Sequence, residues 1–382
     1  MKILIITFTG GVNPGTFMQA LGVKVGFQTI FPDATIDYLQ FPDFKRNLGV
    51  HSRDYWSWNV IKRKSYAAYR LLKYNRLRKE SFHYTKRIDL FDYDKKTIRD
   101  ILSQYDLVSI GSDTILEKAQ NDLNERIGIN WLSSDLYKGK YIFFSASASP
   151  ANFELTEPLR KKLLESAMGA SYIGLRDHLT YNLFKNIGIS EKRLSLQPDP
   201  TFLLDASKFH LGNYYEKKLK GKQICLYNFA ADCPFRKKLS DELRCLGYII
   251  ATTAYNPDAD ISIDTIDPLQ WAGVFRHCSL VITERFHDTV FSLRNAVPVI
   301  AVDWDKSRFA VNGDSKTLRI LEDYDLTDYH FNITKMPELD ELLMRVPKLI
   351  SSWDREQVQK HSAEICNEAE KQLHQIVKLL MQ

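Results

Sequence analysis

The segment from Ser279 to Val302 constrains the fold of this chain more than any other. An apolar, β-branched run, Leu280-Val281-Ile282, stops at Thr283, and a polar turn then carries Arg285 and His287. Apolar residues next recur at helical spacing as far as Asn295, and a second β-branched run, Val299-Ile300-Ala301-Val302, follows. Strand, turn, helix and strand in this succession make a parallel crossover unit, in which the two strands lie in one sheet. The turn falls where a parallel strand ends and a helix begins. Open α/β sheets bind ligands at that place, and helix N-termini there attract anions. A histidine opening a helix can also be a simple surface residue. An arginine two positions earlier has little to do for packing, whereas its planar fork matches carboxylate and phosphate oxygens.

The rest of the chain repeats this rhythm. Strands are expected at Ile3–Thr7, Ile36–Leu39, Leu107–Ile110, Tyr141–Ser145, Tyr172–Leu175 and Leu194–Leu196, and then at Ile224–Phe229, Tyr248–Thr252, Leu280–Thr283 and Val299–Val302, with helical periods between most of them. Alternation of this kind makes an α/β protein with parallel sheets covered on both faces. At 382 residues the chain outgrows a single core, so two doubly wound, Rossmann-like domains facing a cleft are expected. The boundaries follow composition: residues 1–206 as the first domain, with a basic and aromatic helical region at about 44–91; a polar, charged linker at 207–222; 223–350 as the second domain; and a C-terminal helix in 351–382.

Several function classes drop out. The glycines of Gly10-Gly11-x-Asn13-x-Gly15 follow a first strand, but their spacing fits neither the dinucleotide fingerprint nor the P-loop. The five cysteines are odd in number, and with no C-x-x-C pair they suit neither a disulfide framework nor a structural zinc; no metal site is expected. The apolar N-terminal run is too short for a signal peptide and no run reaches a membrane-spanning length, so the expected location is the cytoplasm. The net charge of +5 is mild but uneven. Lys62, Arg63, Lys64, Arg70, Lys73, Arg76, Arg78, Lys79, Lys86 and Arg87 are interleaved with tyrosines and Phe82, a mixture that suits an anionic surface such as the inner face of a membrane or a diphosphate-linked substrate. A solvated helix with its tyrosines turned inward fits the same pattern. No nucleic-acid-binding module accompanies the charge.

The chain resembles the polysaccharide pyruvyl transferases, from the N-terminal strand to about Val302. The resemblance is carried by Ile5-Ile6-Thr7 with Asn13-x-Gly15 and Gln19, by Gly111-Ser112-Asp113, Ser145-Ala146-Ser147 and Leu175-Arg176-Asp177 with Gly188, and by Asp199-Pro200-Thr201 and Thr283-x-Arg285-Phe286-His287-x-Thr289, in that order. It implies a GT-B-like fold and transfer of a pyruvyl group from phosphoenolpyruvate, as substrate and without a cofactor, to two hydroxyls of one sugar, giving a cyclic ketal. The acceptor would be a surface polysaccharide or its lipid-diphosphate-linked precursor, which would bring the enzyme to the cytoplasmic membrane through Lys62–Arg87. Carried over by position, the resemblance makes His287, Arg285 and Arg176 the catalytic candidates and adds Thr289 to them as a donor-binding residue. The loops with Asn13, Gly15, Ser112, Asp113 and Ser147 fall on the acceptor side. One position departs. Where the family usually has glycine after the histidine, this chain has Asp288, which reads as a helix cap or as a carboxylate beside the donor. Two other readings stay open: a GT-B-type glycosyltransferase using a nucleotide sugar, and a catalytically silent sugar- or lipid-binding protein.

Overall fold

The structure is a computed structural model, and it describes residues 1–41, 58–89, 92–116, 128–148, 156–230, 233–254, 256–304 and 315–381, with the side chains of 58–64, 66 and 67 outside that description. The chain divides into two compact units. The first comprises Met1–Val50, Arg76–Leu204 and Ile365–Gln382, and the second comprises His51–Asn75 and Asp205–Glu364. The switch between them falls at Leu204/Asp205. The polar segment 207–222, read from sequence as a linker, belongs to the second unit and contains the helix Asn213–Leu219, whose Leu219 is buried. Residues 51–75, from the basic stretch placed by sequence in the first domain, also count with the second unit. The final helix, Arg355–Met381, is shared: residues from Ile365 onward belong to the first unit.

The first unit is built on a seven-stranded sheet of order β3-β2-β1-β4-β5-β6-β7. Its strands are β1 (Lys2–Ile6), β2 (Thr35–Tyr38), β3 (His83–Tyr84), β4 (Leu107–Ile110), β5 (Lys140–Ala146), β6 (Tyr172–Leu175) and β7 (Leu194–Leu196). Every pairing is parallel, β1 lying between β2 and β4 with Leu4 opposite Asp37 and Val108. Ile3, Leu4, Ile5 and Ile6 are fully buried, as expected of a strand covered by helices on both faces, where an unbroken apolar run replaces alternation.

The second unit repeats the plan with a six-stranded sheet of order β10-β9-β8-β11-β12-β13. The strands are β8 (Ile224–Asn228), β9 (Ile249–Thr252), β10 (Ile261–Ser262), β11 (Leu280–Thr283), β12 (Val299–Asp303) and β13 (His330–Asn332), again all parallel. In each sheet the strand order reverses at one place: between β1 and β4 in the first unit, and between β8 and β11 in the second. The crevice outside the C-terminal ends of the strands opens at such a point. The helix Phe286–Arg294 starts beside the second switch point. It is anchored in the core by Val290, Phe291 and Leu293, with the Phe291 ring 4.9 Å from that of Trp271 and 5.8 Å from that of Phe275.

The helix Pro14–Ile30 opens at the first switch point, with Asn13 as its cap accepting from the Gly15 N–H at 3.0 Å and a proline in its first turn, where the missing N–H costs nothing. Midway along it Gly22 meets the 3₁₀ turn Pro200–Leu203 so closely that a Cβ there would lie 2.2 Å from the Pro200 carbonyl oxygen. Alanine favours helices over glycine by about 1 kcal/mol, yet Gly22→Ala is expected to destabilise the protein by about 1–3 kcal/mol through overpacking against backbone. Denaturant unfolding of the variant measures this, and a gain in stability would contradict the close approach.

Candidate functional site

The sequence motif of the second unit lands at the β8/β11 switch point. In the register of these strands Thr283 lies opposite Asn228. The helix carrying the motif begins at Phe286, with Arg285 as its cap residue and no side-chain cap. His287 is therefore inside the first turn, half-buried, its ring 5.1 Å from that of Phe286, while the Arg285 side chain beside it is exposed. Thr289 is buried, and its hydroxyl donates to the Arg285 carbonyl at 3.1 Å, which commits it to shaping the turn.

Asp288 corrects the reading of it as a helix cap. It occupies the third helical position and is 2 % exposed, with its carboxylate turned inward, where it accepts from Asn228 Nδ2 at 2.7 Å and from Thr283 Oγ1 at 3.0 Å. Asn228 in turn accepts from the Thr252 hydroxyl at 3.0 Å and the Thr253 N–H at 3.1 Å, and Thr283 Oγ1 accepts from the Arg285 N–H at 3.0 Å. One connected polar cluster thus ties together the ends of β8, β9 and β11 and the turn bearing Arg285 and His287. Neither Asn228 nor the Thr252-Thr253 pair stood out in the sequence. The signal there was the ending of an apolar run in small polar residues, which marks a strand end but not its partner.

Burial pushes the Asp288 carboxyl above the usual carboxylate range, against the opposing pull of the Arg285 charge and of the hydrogen bonds from Asn228 and Thr283. Glu284, next in the turn, accepts from the Ala230 N–H at 3.0 Å and from the indole N–H of Trp304. The basic helix Trp58–Ser81 also reaches this sheet edge. Arg70 Nη1 donates to the Thr253 carbonyl at 2.8 Å and Lys73 Nζ to the Thr265 carbonyl at 2.7 Å. Those two cations from the run Lys62–Arg87 are spent on backbone, whereas Arg76, paired with Glu80 at 2.9 Å, and Lys79 are exposed.

In the first unit the sequence candidates gather at the β1/β4 switch point. The Thr7 hydroxyl donates to the Ser112 carbonyl at 2.9 Å, and the Thr16 hydroxyl donates to Asp113 Oδ2 at 3.0 Å. Asp113 takes a positive φ of 67°, a backbone shape that aspartate tolerates better than most residues. Asn13 is exposed, Gly15 is buried in the helix start, and Ser112 and Ser147 are fully buried. Ser147 donates to Asp177 Oδ2 at 2.5 Å, and Asp177 caps the helix His178–Asn186, so that hydroxyl braces two loops from beneath. Arg176 is held by Asp199. Its Nη1 lies 3.2 Å from Asp199 Oδ2, the two side chains being 5 % and 1 % exposed, and Gln19 Nε2 donates to the same oxygen at 2.6 Å. Asp199 Oδ1 accepts from the N–H and hydroxyl of Thr201.

Among the described residues no group of three or more His, Cys, Asp and Glu side chains is placed to hold a metal ion, and no helix is long and apolar enough to cross a membrane.

Two outcomes follow from these burials. Removing the cation of a buried ion pair is costly, so Arg176→Met is expected to cost about 3 kcal/mol of stability; an unfolding midpoint equal to that of the parent protein would contradict a supporting role for the pair. For Asp288 the folded state holds its proton more tightly than the unfolded chain does. Stability contributed by this group is therefore lost as pH rises from the unfolded carboxylate range through the raised folded value. Asp288→Asn cannot titrate, so its melting temperature relative to the parent protein is expected to be higher at pH 7 than at pH 4; the reverse ordering would contradict the buried carboxylate.

The sequence matches the family model for polysaccharide pyruvyl transferase over residues 19–306. No curated protein matches it. Solved structures share its fold at low identity. A putative UDP-N-acetylglucosamine 2-epimerase from Listeria monocytogenes superposes with a TM-score of 0.60 at 9% identity, covering 98% of this chain and 94% of its own. HepE from Anabaena, solved in complex with UDP and glucose, gives 0.57 at 10% identity over 100% and 99% of the two chains. The UDP-GlcNAc 2-epimerase of Neisseria meningitidis, bound to UDP-GlcNAc, gives 0.55 at 8% over 99% and 100%. These likenesses establish two Rossmann-like units of the GT-B kind. With the family model spanning most of its length, the chain belongs to the polysaccharide pyruvyl transferase family.

Proposed function

We propose that this protein transfers the pyruvyl group of phosphoenolpyruvate to two hydroxyls of one sugar residue in a polysaccharide or its lipid-linked precursor. The observation that carries the reading is the turn at the β8/β11 switch point. An exposed guanidinium and a half-buried imidazole stand there at the opening of a helix that lacks a side-chain cap, next to strand ends tied by buried hydrogen bonds. A helix N-terminus and an arginine fork both favour a phosphate or carboxylate.

In this reading His287 gives a proton to the methylene carbon of the donor, and positive charge develops at the adjacent carbon bearing the phosphate ester. A sugar hydroxyl attacks that carbon and its proton returns to the imidazole. The second hydroxyl then displaces inorganic phosphate, which leaves with the remaining proton, and the cyclic ketal closes. Imidazole exchanges protons near neutral pH, which suits both directions of transfer. Arg285 holds donor oxygens as charge shifts toward the departing phosphate. Arg176 enters as support for the first unit's switch-point loops through Asp199. The exposed Lys79, with Arg76 beside it sharing its charge with Glu80, suits an acceptor carried on a lipid diphosphate.

The test is acceptor-dependent release of phosphate from phosphoenolpyruvate by the full chain, with lipid-diphosphate-linked and free saccharides offered in parallel. His287→Ala is expected to lower turnover by about 100-fold or more while folding normally. A folded variant with parental turnover would overturn the role of His287. Release of nucleotide from a sugar nucleotide, with no consumption of phosphoenolpyruvate, would replace the reaction with glycosyl transfer.

A further inference from the structure

The crevice at a doubly wound sheet's switch point is normally open, because the strands on either side run to helices on opposite faces. In the second unit buried side chains form the floor of that place. Asn228 at the end of β8 and Thr283 at the end of β11 stand opposite each other, and the carboxylate of Asp288 is seated between them, all three side chains being 2 % exposed or less. The cluster extends sideways through Thr252 and Thr253 to the end of β9, where the Thr253 carbonyl receives Arg70 from the basic helix. It extends upward through Thr283 Oγ1, which receives the N–H of Arg285. Within the helix, the Ser292 hydroxyl donates to the Asp288 carbonyl at 2.6 Å.

A buried carboxylate with no cation bonded to it in this cluster would be costly if its only effect were to fill space. Its hydrogen bonds have a directional consequence. Asp288 follows His287 directly and lies three residues from Arg285. Pulling its side chain down to Asn228 and Thr283 fixes the rotation of the first helical turn about its axis, and with it the direction in which the side chains of Arg285 and His287 leave the backbone.

We propose that Asp288 is a positioning residue: through Asn228 and Thr283 it sets the orientation of the turn that presents Arg285 and His287. The reading of those two residues as the donor-binding pair is the one argued above, and this inference rests on it for its kinetic consequence only. The orientation itself is a property of the protein without substrate. Asparagine can place its carbonyl oxygen where Asp288 Oδ2 sits and accept from the same two donors, so the conservative variant should preserve the geometry. Alanine cannot.

The experiment reads the imidazole signals of the full chain by nuclear magnetic resonance, the His287 signal being assigned by its loss in His287→Ala. Asp288→Ala and Thr283→Val are expected to shift or broaden the His287 signal while leaving those of the other histidines in place, and Asp288→Asn to restore it. Thr283→Val removes one donor with little change of shape in a strand that favours branched residues, so it answers the question should the alanine variant fail to fold. In turnover of phosphoenolpyruvate, Asp288→Ala is expected to lower kcat by about 100-fold, as displacement of a reacting group does, with KM changed far less and with Asp288→Asn recovering most of the loss. An unaltered His287 signal in both Asp288→Ala and Thr283→Val overturns the proposal, and so does an asparagine variant as impaired as the alanine one. If no variant and no parent protein consumes phosphoenolpyruvate, the donor assignment fails, and the imidazole signals still decide the positioning claim.

Discussion

The carboxylate of Asp288, buried between Asn228 and Thr283, is the interaction on which the second unit's functional edge depends. Parallel strands covered on both faces leave only their ends for polar chemistry, and strand ends are held by little once the backbone ladder stops. Here side chains continue the connection. Asn228 spans from β8 to β9, and Asp288 spans from β8 to β11 and back to its own helix. The turn with Arg285 and His287 is then presented from a rigid floor, while the apolar half of the same helix, around Phe291, is locked into the aromatic core.

The first unit solves the corresponding problem with a different charge balance. Asp199 is just as deeply buried, but its partner is the cation Arg176, supplemented by Gln19 and Thr201. That cluster ties the ends of β6 and β7 to the helix Pro14–Ile30, and the tight contact of Gly22 with Pro200 presses the same elements together. Truncating Arg176 removes a cation from that buried carboxylate, whereas the hydrogen bonds to Asp288 come from neutral donors and burial makes its carboxyl hold its proton more tightly. The two aspartates support the two edges by different electrostatics.

Much of the architecture was legible because parallel strands buried on both faces write themselves as apolar runs with sharp ends. The runs at 107–110, 172–175, 194–196 and 280–283 coincide with β4, β6, β7 and β11. The short edge strands β3, β10 and β13 were missed: two or three residues leave little periodic signal, and these lack the apolar ends by which Leu194–Leu196 marked the equally short β7. Residues 213–219 read as linker because their composition is polar; they form a helix of the second unit with Leu219 buried. At the site, the residue types of the turn were readable, but the direction of Asp288 was not. Sequence places an aspartate near a helix start, and only the neighbouring strand, through Asn228 some sixty positions away, decides that it points inward. Arg176 likewise announced an arginine at a strand end without showing that Asp199 would claim it.

The claim at the centre of this account is that the turn at the β8/β11 switch point holds the phosphate and carboxylate of phosphoenolpyruvate. Equilibrium binding of that compound to the full chain, measured by calorimetry for the parent protein and for Arg285→Lys, tests it without requiring the acceptor. Saturable binding is expected, weakening by about tenfold or more when the guanidinium fork is replaced by a point charge. Equal affinity in the two proteins, or no binding by the parent at millimolar donor, would contradict it.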